Sequence, residues 1–427
     1  MSLADRIMSL AIPAFFVLIA LELLLTRLRG RGAYRSNDTI NSLGLGVISQ
    51  IVGVFGKLLT VGIYAWCFQY LAWWRLPADS VWVWVSGLLL YDLLYYWLHR
   101  LGHRVNILWA AHVVHHQSEH YNLSTALRQT GSGLLLGWVF YLPMALLGYP
   151  VEVFVVVALI DLLYQFWVHT EQVGKLGWFD RVFCSPSNHR AHHAVNERYL
   201  DKNYGGILIV WDRLFGSFVE EDDSDRPIYG TRAPLNSWNP LWANLEVYWS
   251  TAQDAWHARR WRDKLLVWLK PPGWRPADVA ARFPKSPFAQ DHPPFDPPMS
   301  RALTFYCLLH FGLLLAMAVQ FLGMAVRTID AEVLLYAVYL VASLSVLGAL
   351  MEGRRAGCWL ELLRLLATAL LPLVLGRWFG VVSLEPALGW AALAFYGISA
   401  MALPWMLRTP AEHNPLAHLP ARRHAAD

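Results

Sequence analysis

Charged side chains are scarce in this chain. They make up 15% of its 427 residues, against about 25% in an ordinary soluble domain. Hydrophobic residues reach 56%, and 22 residues are Trp. A set of soluble domains of this length would carry more charge, so the composition implies a polytopic membrane protein. The formal net charge is only +4, and arginines gather at the ends of apolar runs, as with Arg27, Arg29, Arg31 and Arg35. That placement suits anionic headgroups on the cytoplasmic side and argues against a nucleic-acid partner.

Cysteine is scarce as well. Cys67, Cys184, Cys307 and Cys358 are widely scattered, and none belongs to a CxxC pair. This argues against both a disulfide framework and a thiolate metal site, leaving small apolar fillers. Internal repeats and low-complexity tracts are lacking, and no segment reads as a reductase, haem or flavin domain. The first apolar run, Leu10 to Leu25, lacks a small-residue cleavage site and is followed by arginines. It reads as a retained anchor rather than a signal peptide.

What the sequence does have is long apolar runs. A hydrocarbon core about 30 Å thick takes roughly 20 residues of helix. Runs at 9–27, 41–72, 81–98, 131–149, 151–170, 302–325, 331–350, 359–376 and 386–407 predict about nine transmembrane helices in an all-α protein, because lipid forces backbone polar groups to pair internally. Between them, 171–298 is polar and punctuated by proline, with acids at Glu220 to Asp225, and reads as a water-facing cytoplasmic insert and linker. The division expected is a catalytic half at 1–298, a carboxy-terminal transmembrane bundle at 299–410 and a flexible tail at 411–427. Polar residues of the second half (His310, Gln320, Glu332, Glu352, Glu361) follow no repeating spacing and predict packing rather than a second site.

The chemistry lies in histidine. Of 16 histidines, eight form three clusters: His99-x-x-x-His103, His112-x-x-His115-His116 and His189-x-x-His192-His193. On a helix, residues three and four apart share a face, so each cluster presents several imidazoles together. Imidazole suits Fe, Zn, Cu and Ni, whereas Mg²⁺ and Ca²⁺ want oxygen ligands. Four ligands fill a tetrahedral zinc site, so eight predict two metals with positions to spare. His169 closes the fifth apolar run at the same level and is the ninth expected ligand. The clusters follow span ends and predict a histidine-rich di-metal cap on the cytoplasmic face. His120, His257 and His292 stand outside this patterning.

Metal-ligating histidines usually donate their second ring N–H to a carboxylate, carbonyl or water. Asp92, Asp161, Glu171 and Asp180 are the candidate acids. Asp92 and Asp161 lie in apolar runs, where an acid is costly unless paired, and are expected to be structural or to support the ligands. Asn122 and Arg128 are candidates for holding a headgroup or cofactor, and Lys202 and Tyr204 for lining the mouth of the site.

The cluster order resembles the fatty acid hydroxylase and sterol desaturase superfamily. The strip from His115-His116-Gln117-Ser118-Glu119-His120-Tyr121-Asn122 to Arg128-Gln129 is most similar to its alkylglycerol (glyceryl-ether) monooxygenase branch. Similar too are Phe166 to Glu171, Asp201 to Gly206, Trp211-Asp212-Arg213-Leu214-Phe215-Gly216 and Lys270-Pro271-Pro272-Gly273-Trp274. The resemblance implies a membrane-bound non-haem di-iron monooxygenase that hydroxylates a lipid C–H bond with O2. On that branch the carbon beside an ether oxygen is attacked and electrons come from tetrahydrobiopterin. It also implies a catalytic or orienting role for Glu119. Asn188 departs from the histidine usual in animal members and holds a metal-bound water or simply hydrogen-bonds. A separate electron donor is the other source of electrons.

Two further readings compete. A sterol or fatty-acyl hydroxylase or desaturase of the same superfamily differs in substrate rather than in motif. A membrane metal transporter would also use histidines, but would place them along a path near the bilayer midplane. Frequent Ala, Arg and Trp point to a bacterial inner membrane, with the endoplasmic reticulum as the eukaryotic equivalent.

Overall fold

A computed structural model describes residues 3–30, 33–289, 293–380 and 385–408. Arg31, His292 and the tail expected at 411–427 lie outside the described residues. Among the described residues the chain is helical, with only isolated β-bridges such as Phe183 with Leu208 and Ala194 with Tyr229. The helices are α1 (Leu3–Leu28), α2 (Ser36–Leu71), α3 (Val81–Arg104), α4 (Asn106–Ala110), α5 (Val113–His116), α6 (Leu123–Ala126), α7 (Leu134–Gly137), α8 (Leu142–Leu146), α9 (Val151–Trp167), α10 (Phe179–Val182), α11 (Pro186–His193) and α12 (Val210–Leu214). Then come α13 (Pro240–His257), α14 (Trp261–Leu269), α15 (Ala277–Arg282), α16 (Arg301–Ala325), α17 (Ala331–Met351), α18 (Arg355–Leu375) and α19 (Pro386–Arg408).

Seven of these are long and apolar enough to cross a membrane: α1, α2, α3 and α16 to α19. The two remaining expected spans differ. The run at 131–149 breaks into α7, a 3₁₀ turn at Trp138–Tyr141 and α8. Together these make one apolar helical stretch, Leu134–Leu146, shorter than the roughly 20 residues that a span needs. At Gly148, φ is +89° and a Cβ would fall 2.1 Å from the Trp74 carbonyl, so the chain turns there on glycine alone. The fifth run gives α9, 17 residues long, which is short of the roughly 20 needed.

The described residues fall into two compact units. The first draws on 1–29, 55–235 and 244–293, the second on 30–54, 236–243 and 294–427. In the first unit, Tyr91 of α3 stacks on Tyr141 at 4.5 Å, and Tyr64 stacks on Phe154 of α9 at 4.1 Å. The Tyr64 hydroxyl donates to the Tyr149 carbonyl at 2.9 Å. This aromatic core fixes α3, whose last two turns carry His99 and His103, both buried.

In the second unit two of the scattered polar residues, His310 and Glu361, meet in one network around Arg364. Glu361 accepts from Arg364 Nε and Nη2 at 2.7 and 2.6 Å, and from the Tyr306 hydroxyl. Arg364 also reaches His310 Nδ1 at 3.1 Å, and His310 Nε2 lies 3.2 Å from Ser399 Oγ. Each charge meets its counter-charge, the condition under which ionisable groups persist among apolar helices.

Candidate metal centre

Nine imidazoles converge in the first unit as two groups. His99, His103, His112, His116 and His192 form one, and His115, His169, His189 and His193 the other; within each, one ligand atom per residue lies within 4.8 Å of every other. The local structure explains the split. On α5 and α11, residues four apart share a face while adjacent residues diverge. His112 and His116 therefore face the five-membered group and His115 the other, while His189 and His193 face the four-membered group and His192 the first.

Helix α11, which carries three of these rings, is fixed at its start. Ser185 accepts from the Asn188 backbone N–H at 3.4 Å at the head of α11, and Pro186 occupies its first turn. The Asn188 side chain donates to the Asp180 and Phe183 carbonyls at 3.0 and 3.2 Å, which anchors α11. Arg190, between the histidines, donates to the Thr170 and Val173 carbonyls at 3.0 and 2.7 Å and pairs with both oxygens of Glu221 at 2.9 and 2.7 Å.

Four of the nine rings are held through Nδ1 by backbone carbonyls. His99 pairs with Tyr204 O at 2.8 Å, His115 with Arg128 O at 3.0 Å, His169 with Gln165 O at 2.8 Å and His192 with Lys202 O at 2.9 Å. The expected acids act one step further out. Asp92 accepts from the Ile207 and Leu208 N–H groups at 2.7 and 3.1 Å and from Trp211 Nε1 at 2.8 Å. Asp161 accepts from Gln165 Nε2 at 2.6 Å. Asp212, buried, accepts from the Tyr204 and Gly205 N–H groups at 2.8 and 2.7 Å, and burial raises its carboxyl to about 6. These carboxylates thus shape the 204–212 loop that presents Tyr204 O. Glu171 accepts from the Tyr229 hydroxyl at 3.1 Å.

The other candidates fall close by. Arg128 is buried, and its Nε donates to Val114 O at 2.7 Å, so this one residue grips α5 with both side chain and carbonyl. Asn122 caps α6 by accepting from Ser124 N at 2.9 Å. Tyr204 is buried with its ring 5.4 Å from that of His103, and Lys202 lends its carbonyl. Glu119, half-buried, turns its Cγ toward Gly230. His120 follows on the same loop, and His257, against Phe283 at 4.5 Å, lies on α13; neither joins a group.

Glu22 of α1 escapes a motif search. It is 4% exposed, accepts from Leu123 N at 2.8 Å and from the Thr170 hydroxyl, and so ties α1 to α6 and to the residue after His169. The signal was available: a lone acid inside an apolar run needs a partner. Tyr121, whose hydroxyl donates to Val168 O at 2.9 Å, steadies the same turn.

The donor atoms fit a cation. A carbonyl only accepts, so Nδ1 of His115 and of His169 carries hydrogen, and Nε2 of each neutral ring is left with a lone pair. Those two Nε2 atoms lie 3.1 Å apart. Burial holds both rings below their ordinary value, His115 at about 4, so neither is protonated near neutrality. Two facing lone pairs repel unless a positive ion lies between them. Likewise His99 Nε2, His103 Nε2 and His192 Nε2 are buried without a hydrogen-bond partner. Burial, reinforced by neighbouring imidazoles, also lowers His112, His116, His189 and His193, keeping the rings in the neutral form that ligates metals.

Comparison with known proteins places this geometry. The fatty acid hydroxylase family model matches residues 84–217, which span all nine histidines. The chain is 38% identical over 406 residues to the alkylglycerol monooxygenase of Danio rerio, covering 93% of this chain and 88% of that protein. It is 34% identical over 414 residues to the Homo sapiens alkylglycerol monooxygenase, covering 92% and 90%. It is also 30% identical over 135 residues to an ornithine lipid hydroxylase of Rhizobium tropici, covering 31% of this chain and 41% of that one. No solved structure matches the chain significantly.

Proposed function

The chain belongs to the alkylglycerol monooxygenase family of the fatty acid hydroxylases, and from that membership we propose that it oxidises the carbon beside the ether oxygen of an alkylglycerol. It is an integral membrane, oxygen-dependent oxidoreductase acting on lipid. The observation that carries the proposal is the convergence of nine imidazoles, eight buried and His112 half-buried, into groups of five and four whose ligand atoms lie within 4.8 Å of one another. We assign His99, His103, His112, His116 and His192 to one iron and His115, His169, His189 and His193 to the other. When bound, two irons would supply the activation of dioxygen.

The protein's own contribution is positional and electrostatic. Backbone carbonyls fix the tautomers of His99, His115, His169 and His192, burial keeps the ligands neutral, and the surrounding aromatic rings exclude water. One oxygen atom enters the C–H bond and the other leaves as water, consuming two electrons and two protons from an external reductant. Tetrahydrobiopterin is the reductant proposed, with a separate electron-donor protein as the other source. The resulting hemiacetal breaks to an aldehyde and a glycerol lipid. Glu119 is assigned a catalytic or orienting role, and Asn122, Arg128, Lys202 and Tyr204 a share in holding headgroup or cofactor. Residues 1–298 would form the catalytic part, 299–410 an accompanying bundle, and the membrane would be the bacterial inner membrane.

The likeness to an ornithine lipid hydroxylase favours a second reading, in which an acyl lipid is hydroxylated without cleavage. Turnover assays on purified protein in lipid nanodiscs separate the two. Aldehyde released from alkylglycerol supports the first reading, and a stable hydroxylated acyl lipid with no aldehyde replaces it with the second.

A further inference from the structure

Helices α13 and α14 lie in the polar stretch between the candidate membrane spans, yet each turns a row of large apolar side chains outward. On α13, Leu245, Trp249 and Trp256 are 47%, 58% and 81% exposed. On α14, Trp261, Leu265 and Leu269 are 81%, 68% and 60% exposed. The spacings of four and seven residues place each row on one helical face. The opposite faces are the buried ones: Thr251 and Asp254 on α13, with Ala258 just beyond its end, and Val267 on α14.

Both helices are held in a fixed relation. Lys264 Nζ donates to the Ala255 and Trp256 carbonyls at 3.0 and 2.9 Å, closing the end of α13, and stands 5.6 Å from the centre of the Trp261 ring. Asp254 accepts two hydrogen bonds from Arg275, both at 2.8 Å. The rows are thus presented by a rigid pair rather than by a loose loop.

Their height relative to the bilayer is set by Asn106, which stands two residues beyond Arg104, the end of span α3. Its side chain donates to Thr251 Oγ1 at 3.0 Å and to Val267 O at 2.9 Å, and its backbone N–H donates to Lys270 O at 3.0 Å. The pair is therefore fastened at the level where a membrane helix leaves the hydrocarbon. The charge beside the α14 row is predominantly positive. Between Trp256 and Lys270 there are five basic residues, Arg259, Arg260, Arg262, Lys264 and Lys270, against one acid, Asp263.

We propose that α13 and α14 lie in the plane of the membrane interface and dock on an anionic phospholipid surface. Tryptophan and leucine enter the headgroup boundary, and the arginines meet the lipid phosphates, the arrangement of an in-plane amphipathic helix. Part of the stretch expected to face water then faces lipid. Its inner face rests on α4, which joins the His99 and His103 helix to the second histidine cluster, so the surface of the bilayer and the histidine groups share one rigid support.

The test uses the full chain in nanodiscs with Cys358 replaced by serine, the other native cysteines being buried. A nitroxide is attached at Leu265→Cys, at Trp256→Cys and, as a water-facing reference, at Asp223→Cys, where the native side chain is 94% exposed. At positions 256 and 265 the spin label should relax more with oxygen than with a water-soluble nickel chelate, and at 223 the reverse. Accessibility to nickel at 256 and 265 equal to that at 223 overturns the docking. Reversing Arg259, Arg260 and Arg262 to glutamate should reduce immersion in phosphatidylglycerol-containing discs several-fold. An equal immersion of both proteins in those discs overturns the anionic preference.

Discussion

His115 and His116 are consecutive in the chain, yet their rings belong to different groups, His115 facing His169 at 3.1 Å between Nε2 atoms and His116 facing His112 at 3.1 Å. One four-residue helix therefore serves both halves of the centre. If each group holds its own ion, His115→Ala and His116→Ala should each reduce bound iron from about two per chain to about one. Turnover should fall at least as far as the roughly 10–100-fold loss that follows removal of an outer-shell partner. Iron analysis of the two variants checks this, and loss of all iron from both would mean a single shared site.

Glu22 is expected to be a positioning residue. Glu22→Ala leaves Leu123 N and the Thr170 hydroxyl without this acceptor, at about 1–3 kcal/mol for each buried group. Glu22→Gln keeps an acceptor oxygen and should lose less. Thermal unfolding combined with iron retention reads the effect, and an alanine variant indistinguishable from wild type in both would remove Glu22 from the account.

Gly206 sits where a side chain cannot. An added Cβ would lie 2.6 Å from Asp161 Oδ1 and 3.0 Å from Asp92 Oδ1, so Gly206→Ala must displace the loop that presents Tyr204 O to His99. Overpacking of this kind typically costs about 1–3 kcal/mol. The expected outcome is a lower unfolding midpoint with weaker iron binding, measured by calorimetry and chelator competition.

The nine histidines, the all-helical fold and the membrane class were legible in the sequence, because spacing on a helix and hydropathy are local properties. The division into five and four was not, since it depends on how α3, α5, α9 and α11 meet in space. Asp92 and Asp161 are expected from the sequence to be structural or to support the ligands, and what they hold is backbone at Ile207 and Leu208 and the side chains of Trp211 and Gln165. Backbone carbonyls such as Tyr204 O leave no trace in side-chain identity. The run at 131–149 reads as a span because hydropathy counts apolar residues, whereas the helix they form covers only Leu134–Leu146.

Acid should loosen the centre. Burial lowers His115 to about 4 and holds His112, His116, His169, His189, His192 and His193 below their ordinary value of 6.5. In the unfolded chain these groups protonate near pH 6.5, so below that pH the unfolded state binds more protons than the folded one. Stability of the metal-free protein should then fall as pH drops from about 6.5 towards 4. Unfolding midpoints measured across that range check it, and a flat profile would contradict neutral, buried rings.

Oxygenative ether cleavage is read out by mass analysis of the products formed from an alkylglycerol by iron-loaded protein, a reduced pterin and heavy-oxygen-labelled dioxygen, with the aldehyde trapped as it forms. One labelled oxygen is expected in the aldehyde, and none when iron or reductant is withheld. Aldehyde without label, or no oxygenated product from alkylglycerol, sterol or fatty-acyl lipid, would contradict it.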